Sequence, residues 1–131
     1  MKMITICIVD DDEVYQITSR KMIERVYTAK NILVFSNGAE AFHFLSEMAS
    51  NEDVLPDVIF LDVNMPYMDA WQFLDAFGEL KPKLIKQITI YVISSSVSHS
   101  DIERARSIKA VKDYYIKPIT MEQYAHMLEG I

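Results

Sequence analysis

Apolar residues gather in five short runs, residues 4–9, 32–35, 58–61, 88–93 and 113–116, separated by stretches with helical spacing. The first four runs are rich in Ile and Val and nearly unbroken, which predicts strands buried on both faces. The fifth is weaker and opens with Lys112 and Asp113, as suits an edge strand. Between the runs, apolar positions recur every three or four residues. Val14, Thr18, Met22 and Val26, with Tyr15 beside them, predict the inner face of a first helix. Ala41, Phe42, Leu45, Met48 and Ala49 predict a second, and Ala70, Phe73, Leu74 and Phe77 a third. A fourth segment, 101–107, is short and polar, with Ile102 and Ala105 facing inward; Met121, Tyr124, Ala125 and Leu128 mark a fifth. Asn37-x-x-Glu40, Ser100-x-x-Glu103 and Thr120-x-x-Gln123 each place a capping side chain three residues before a carboxylate or amide, the arrangement that satisfies free N–H groups at a helix start.

Strand and helix therefore alternate five times. That order predicts an α/β fold with a parallel sheet, right-handed crossovers and helices on both faces. In such sheets ligands bind beyond the carboxyl ends of the strands. Those ends carry Asp10-Asp11-Asp12, Asp62, Ser94-Ser95-Ser96 and Lys117-Pro118. Crowded carboxylates repel one another unless a cation joins them. The donors on offer are oxygens, with no Cys or His at the strand ends, so Mg²⁺ fits better than zinc or copper. A dication, the Lys117 ammonium and the Ser94 hydroxyl around one carboxylate suit an incoming phosphoryl group, with Asp62 as nucleophile. Plainer readings stand beside this one. The Asp run can be a helix N-terminus favoured by the dipole, Asp62 an ordinary turn residue, Ser94 the start of a Ser-rich loop, and Lys117-Pro118 a solvated strand end.

Composition narrows the class. At 131 residues, half of them hydrophobic, the chain is expected to be one domain. Its 13 Lys+Arg against 19 Asp+Glu give −6, which argues against a nucleic-acid or anionic-membrane binder. No apolar stretch approaches the ~20 residues of a membrane span. The apolar start meets Asp10-Asp11-Asp12 without a small-residue cleavage site, so a signal peptide is not expected. The single Cys7 sits in an apolar run and reads as a small core residue. A cytoplasmic setting is the expectation.

The chain resembles the receiver domain of two-component response regulators, from Ile4 to about Leu128. The matching pieces are Ile8-Val9-Asp10-Asp11-Asp12, Asp62-Val63-Asn64-Met65-Pro66-Tyr67-Met68-Asp69, Ile93-Ser94-Ser95 and Tyr114-Tyr115-Ile116-Lys117-Pro118. The resemblance implies a flavodoxin-like (βα)5 three-layer sandwich with strand order 2-1-3-4-5. It implies Asp62 as phosphoacceptor, and Mg²⁺ held by Asp10, Asp11, Asp62 and the backbone carbonyl of Asn64. It further implies Ser94 as the switch hydroxyl, Lys117 as the lysine that pairs with the phosphoryl group, a cis Lys117-Pro118 bond, and Tyr114 as the switch aromatic. Partners implied are a sensor histidine kinase or a histidine phosphotransfer protein, and an unidentified downstream protein met through helix 4, strand 5 and helix 5. Arg104, Arg106, Lys109 and Lys112 lie on that face, as a solvated basic surface or as a dock for an acidic partner.

Two positions depart from the family pattern. Ala70 stands where relatives usually have Gly, and Lys109-Ala110-Val111 where many have a Gly-Ala turn. Neither removes a reacting group. Trp71 is expected beside the site, and His43, His99 and His126 are expected to be neither ligands nor phosphodonors. A single receiver domain over residues 1–131, with no output domain, is the leading expectation. The alternatives are a phosphate-independent binding module, and a phosphohydrolase, which usually needs an acid where Asn64 stands.

Overall fold

A computed structural model describes residues 3–131. Its strands are β1 (Thr5–Val9), β2 (Asn31–Phe35), β3 (Val58–Asp62), β4 (Thr89–Ser94) and β5 (Val111–Ile116). Its helices are α1 (Glu13–Val26), α2 (Gly38–Glu47), α3 (Ala70–Leu80), α4 (His99–Ser107) and α5 (Met121–Glu129), with a 3-10 turn at Lys81–Lys83. All strands are parallel, in the order β2-β1-β3-β4-β5. The fold is thus the flavodoxin-like α/β sandwich that the resemblance implies.

Alternation along the central strands divides the core in two. Cys7, Val9, Ile59, Leu61, Ile90 and Val92 face the layer of α2, α3 and α4, where Phe73 and Phe77 are fully buried. Ile6, Ile8, Val58, Phe60, Tyr91 and Ile93 face α1 and α5 and pack on Ile23, Tyr124 and Met127. Each such side chain contributes about 1.5–3 kcal/mol by burial. Cys7 belongs to this core, and burial pushes its thiol pKa up.

Several expectations need correction. β2 is only half-buried, because it is an edge strand with one neighbour rather than a strand covered on both sides. The inner face of α1 is rotated by one position: Val14 and Thr18 are exposed, while Tyr15, Ser19 and Ile23 turn inward. Ser19 tolerates burial because its hydroxyl donates to the Tyr15 carbonyl at 2.7 Å. On α5, Met121 and Ala125 are exposed, and Met127 joins Tyr124 and Leu128 inside.

The Thr120–Gln123 box forms in full. Asn37 caps α2 through the Glu40 N–H, but the Glu40 carboxylate meets the Asn37 side-chain amide rather than its backbone. The Ser100 box does not form. Ser98, in extended backbone, caps α4 instead, while Ser100 lies inside the helix and meets Ser98 Oγ at 2.9 Å. Asp69 and Gln72 make a further complete box at the start of α3, which the sequence reading did not identify.

Candidate functional site

The parallel order brings four strand ends to one edge of the sheet. Asp10 follows β1 and is 2% exposed. Its Oδ1 accepts the Asp12 N–H at 2.9 Å and its Oδ2 accepts from Lys117 Nζ at 2.7 Å. Asp12 is the residue that caps α1, accepting the N–H groups of Val14 and Tyr15. The helix-start reading of the acidic run therefore applies to Asp12. Asp10 and the exposed Asp11 remain for other chemistry. Gln16, on the first turns of α1, donates to the Asp10 carbonyl and fixes the bend after β1.

Asp62 closes β3 and is 8% exposed. Its Oδ1 lies 3.3 Å from Lys117 Nζ. Burial and the neighbouring Asp10 charge push its pKa up to about 6, against the pull of Lys117. Burial works against the Lys117 ammonium, but its hydrogen bond to Asp10 and the charge of Asp62 outweigh it and hold the lysine pKa above its ordinary value.

One oxygen from each of Asp10, Asp11 and Asp62 lies within 4.8 Å of the others. Three converging carboxylates with no nitrogen or sulfur donor among them fit a hard dication such as Mg²⁺. Asn64 sits exposed in the loop that leaves β3.

Ser94 closes β4, fully buried, one residue beyond the register partner of Asp62. Its Oγ accepts the Ser96 N–H at 3.1 Å. Tyr114, buried on β5, donates its hydroxyl to the Ser96 carbonyl at 2.8 Å. Ser96 Oγ in turn donates to Asp101 on α4 at 3.0 Å. One loop residue thus joins the strand-end hydroxyl, the inward aromatic and α4. The Lys117-Pro118 bond is cis.

The loop between β3 and α3 is held tightly. Gly38 at the start of α2 donates its N–H to the Met68 carbonyl at 3.1 Å, and a Cβ there would stand 2.6 Å from that oxygen. Only glycine allows so close an approach. Ala70 is fully buried and donates to Val63 O at 3.1 Å. Among the described residues Tyr67 is the one non-glycine with positive φ, at 67°, so Ala70 incurs no such strain. The Tyr67 side chain is 89% exposed and does not offset that strain by packing. Tyr67→Gly is therefore expected to stabilise the fold by about 0.5–1 kcal/mol, the left-handed cost of roughly 1–2 kcal/mol less the extra entropy glycine loses on folding. A urea midpoint that does not rise would show that the loop relaxes at no cost.

Trp71 opens α3 with the Arg104 guanidinium 4.6 Å from its ring, and Arg106 pairs with Asp113 at 3.2 Å. Two of the four cations on the α4–β5 face thus have partners within the chain. His43 and His99 pair with Glu47 and Glu103 on helix surfaces, away from the acidic cluster. Tyr15 is the residue at the site that the sequence reading placed only as packing: its ring lies 4.1 Å from Lys117 Nζ. No helix among the described residues is long and apolar enough to cross a membrane.

The sequence profile described as "Response regulator receiver domain" matches residues 6–129. A protein-glutamate methylesterase/protein-glutamine glutaminase of Burkholderia thailandensis is 35% identical over 89% of this chain and 30% of its own. A probable C4-dicarboxylate response regulator of Priestia megaterium is 28% identical over 95% of this chain and 50% of its own. The chain thus spans at most half the length of these two curated relatives. A two-component response regulator structure from Cytophaga hutchinsonii superposes with a TM-score of 0.87 at 22% identity, covering 98% of this chain and 97% of the other.

Proposed function

Since the chain belongs to the response regulator receiver domain family, we propose that it accepts a phosphoryl group on Asp62 with Mg²⁺ and relays the change to a partner protein. The observation that carries this reading is the convergence of Asp62 with Asp10, Asp11 and the Lys117 ammonium at one sheet edge.

In the proposed step an Asp62 oxygen attacks the phosphorus of a phosphohistidine or of a small donor such as acetyl phosphate. The new P–O bond forms as the bond to the leaving imidazole nitrogen or carboxylate breaks, and its electron pair departs with that group. Asp10, Asp11, Asp62 and the carbonyl of Asn64 would hold Mg²⁺, which when bound supplies positive charge to the phosphoryl oxygens. Lys117, already 3.3 Å from Asp62, is placed to pair with one of those oxygens. Ser94 reaches the phosphoryl group by releasing the Ser96 N–H. Ser96 also holds the Tyr114 hydroxyl and Asp101, so the release is transmitted to β5 and α4. The phosphodonor partner is a sensor histidine kinase or a histidine phosphotransfer protein, and the output is a protein met through α4, β5 and α5.

Intact-protein mass after incubation with acetyl phosphate or phosphoramidate tests the reading. One added phosphoryl group that requires Mg²⁺ and is lost in EDTA is expected. No gain from either donor, together with no beryllofluoride binding, would favour a phosphate-independent binding module.

Lys117→Ala separates the roles at the site. Mg²⁺ binding should persist, because none of the carboxylates is lost, and removal of the ammonium frees Asp10 Oδ2. The amide NMR shifts of α4 and β5 that beryllofluoride induces in the wild type should disappear. Loss of Mg²⁺ binding instead would make Lys117 a structural support of the acidic cluster.

A further inference from the structure

The Lys117 ammonium has three protons to place. Asp10 Oδ2 lies at 2.7 Å and Asp62 Oδ1 at 3.3 Å. The face of the Tyr15 ring covers it as well, 4.1 Å from Nζ to the ring centroid. The lysine side chain is accordingly only 17% exposed.

The ring is itself held. Tyr15 OH lies 3.1 Å from Tyr124 OH, and Tyr124 is 1% exposed and stands edge-on to Phe60 at 5.4 Å. The Tyr15 carbonyl accepts from the buried Ser19 hydroxyl. The ring also forms part of the wall of a solvent-open pocket of about 180 Å³, with Ser19, Met22, Pro118 and Tyr124 among the other lining residues. A smaller side chain at position 15 would extend that pocket, and the water in it, toward the lysine.

We propose that Tyr15 is a positioning residue for Lys117: its ring, anchored through Tyr124, holds the ammonium against Asp62 and shields it from water. This rests on the phosphoryl-acceptor reading for its effect on rate, but not for the contact itself. A cation over an aromatic face is favourable through the ring quadrupole, more so when partly desolvated. The ring supplies that contact and the hydroxyl supplies only the anchor, so the two can be separated by substitution.

The test compares wild type, Tyr15→Phe and Tyr15→Leu by three readouts. These are the rate of phosphoryl uptake from acetyl phosphate by mass, Mg²⁺ affinity by calorimetry, and the ammonium NMR signal of Lys117 without donor. Tyr15→Leu is expected to slow uptake by about 3- to 30-fold, the range of a partly buried cation–π contact. Mg²⁺ affinity should stay within about twofold, which also shows that the variant folds. The Lys117 ammonium signal is expected to be sharp in the wild type, where the ring slows exchange with water, and should broaden beyond detection in Tyr15→Leu. Tyr15→Phe should restore most of the rate and the signal. Equal losses in Phe and Leu, or a wild-type rate and signal in Leu, would overturn the proposal. If the wild type takes up no phosphoryl group, the acceptor reading fails, and the donor-free ammonium signal alone decides whether the ring holds the lysine.

Discussion

Asp62→Asn is expected to take up no phosphoryl group and, in metal-free buffer at neutral pH, to be more stable than the wild type. The first effect is complete, because an amide nitrogen or oxygen does not replace the carboxylate as nucleophile. The second follows from the cost of the ionised carboxylate beside Asp10. In the folded protein its pKa is about 6, against an ordinary 3.8, so between those values the folded state holds the proton that the unfolded chain has lost. Stability contributed by this group is therefore highest below pH 3.8, falls as pH rises through about 6, and stays low above it. A shift of about two units corresponds to at most about 3 kcal/mol, and screening at this solvent-facing edge reduces it to roughly 1–2 kcal/mol. Asparagine removes that cost while Lys117 keeps its bond to Asp10. The gain should appear in urea titrations at pH 7 and vanish near pH 4. A variant less stable than wild type at pH 7 would show that the Lys117–Asp62 contact outweighs the burial of charge.

Asp57→Ala is expected to cost about 2–4 kcal/mol while leaving phosphoryl uptake unchanged. Asp57 precedes β3 at the opposite edge of the sheet and is 5% exposed. Its Oδ2 accepts the Thr5 N–H at 2.9 Å, its own N–H donates to Thr5 O, and its carbonyl accepts from Thr89. Its carboxylate also faces Lys86 Nζ at 3.5 Å, where the lysine is 13% exposed. Alanine leaves a buried N–H without that acceptor and a nearly buried ammonium without that charge. Lys86 still donates to Leu55 O, which keeps the loss below the upper range for broken buried pairs. Asp57→Asn retains an acceptor for Thr5 and should lose only about 1 kcal/mol. A loss under about 1 kcal/mol in the alanine variant would mean that water takes the place of the carboxylate.

The contrast between these two aspartates shows where sequence reasoning reaches and where it stops. Asp62 was legible because it ends an apolar run, and the ends of parallel strands share an edge. Asp57 stands before such a run, where nothing in the local pattern marks an acid that binds across to another strand. The strands were legible as nearly unbroken apolar runs and the helices from their spacing, and α3 in particular buries the very residues its spacing predicts. The inner face of α1 was not, because Ser19 is polar by type and becomes a core residue only by returning its proton to its own helix. Tyr15 was on the predicted face, yet its contact with Lys117 joins positions about a hundred residues apart and has no local signature. Arg104 and Arg106 looked like free surface charge for the same reason; their partners, Trp71 and Asp113, lie on other elements.

The strand order has a consequence for when the protein becomes competent. Asp10 and Lys117 touch across 107 residues of chain, and Asp62, which also meets the lysine, belongs to a third strand. No fragment cut short at or before the end of β5 contains the lysine, and no chain in which β1 has yet to pair holds the acidic pair in place. Contacts so distant in sequence form late, because the entropy of closing the intervening loop must be met first. A nascent or half-folded copy therefore lacks the assembled cluster of Asp10, Asp62 and Lys117 on which the proposed function depends. On the proposed function, uptake of a phosphoryl group would double as a quality check, reporting that synthesis has passed the fifth strand and that the sheet has closed.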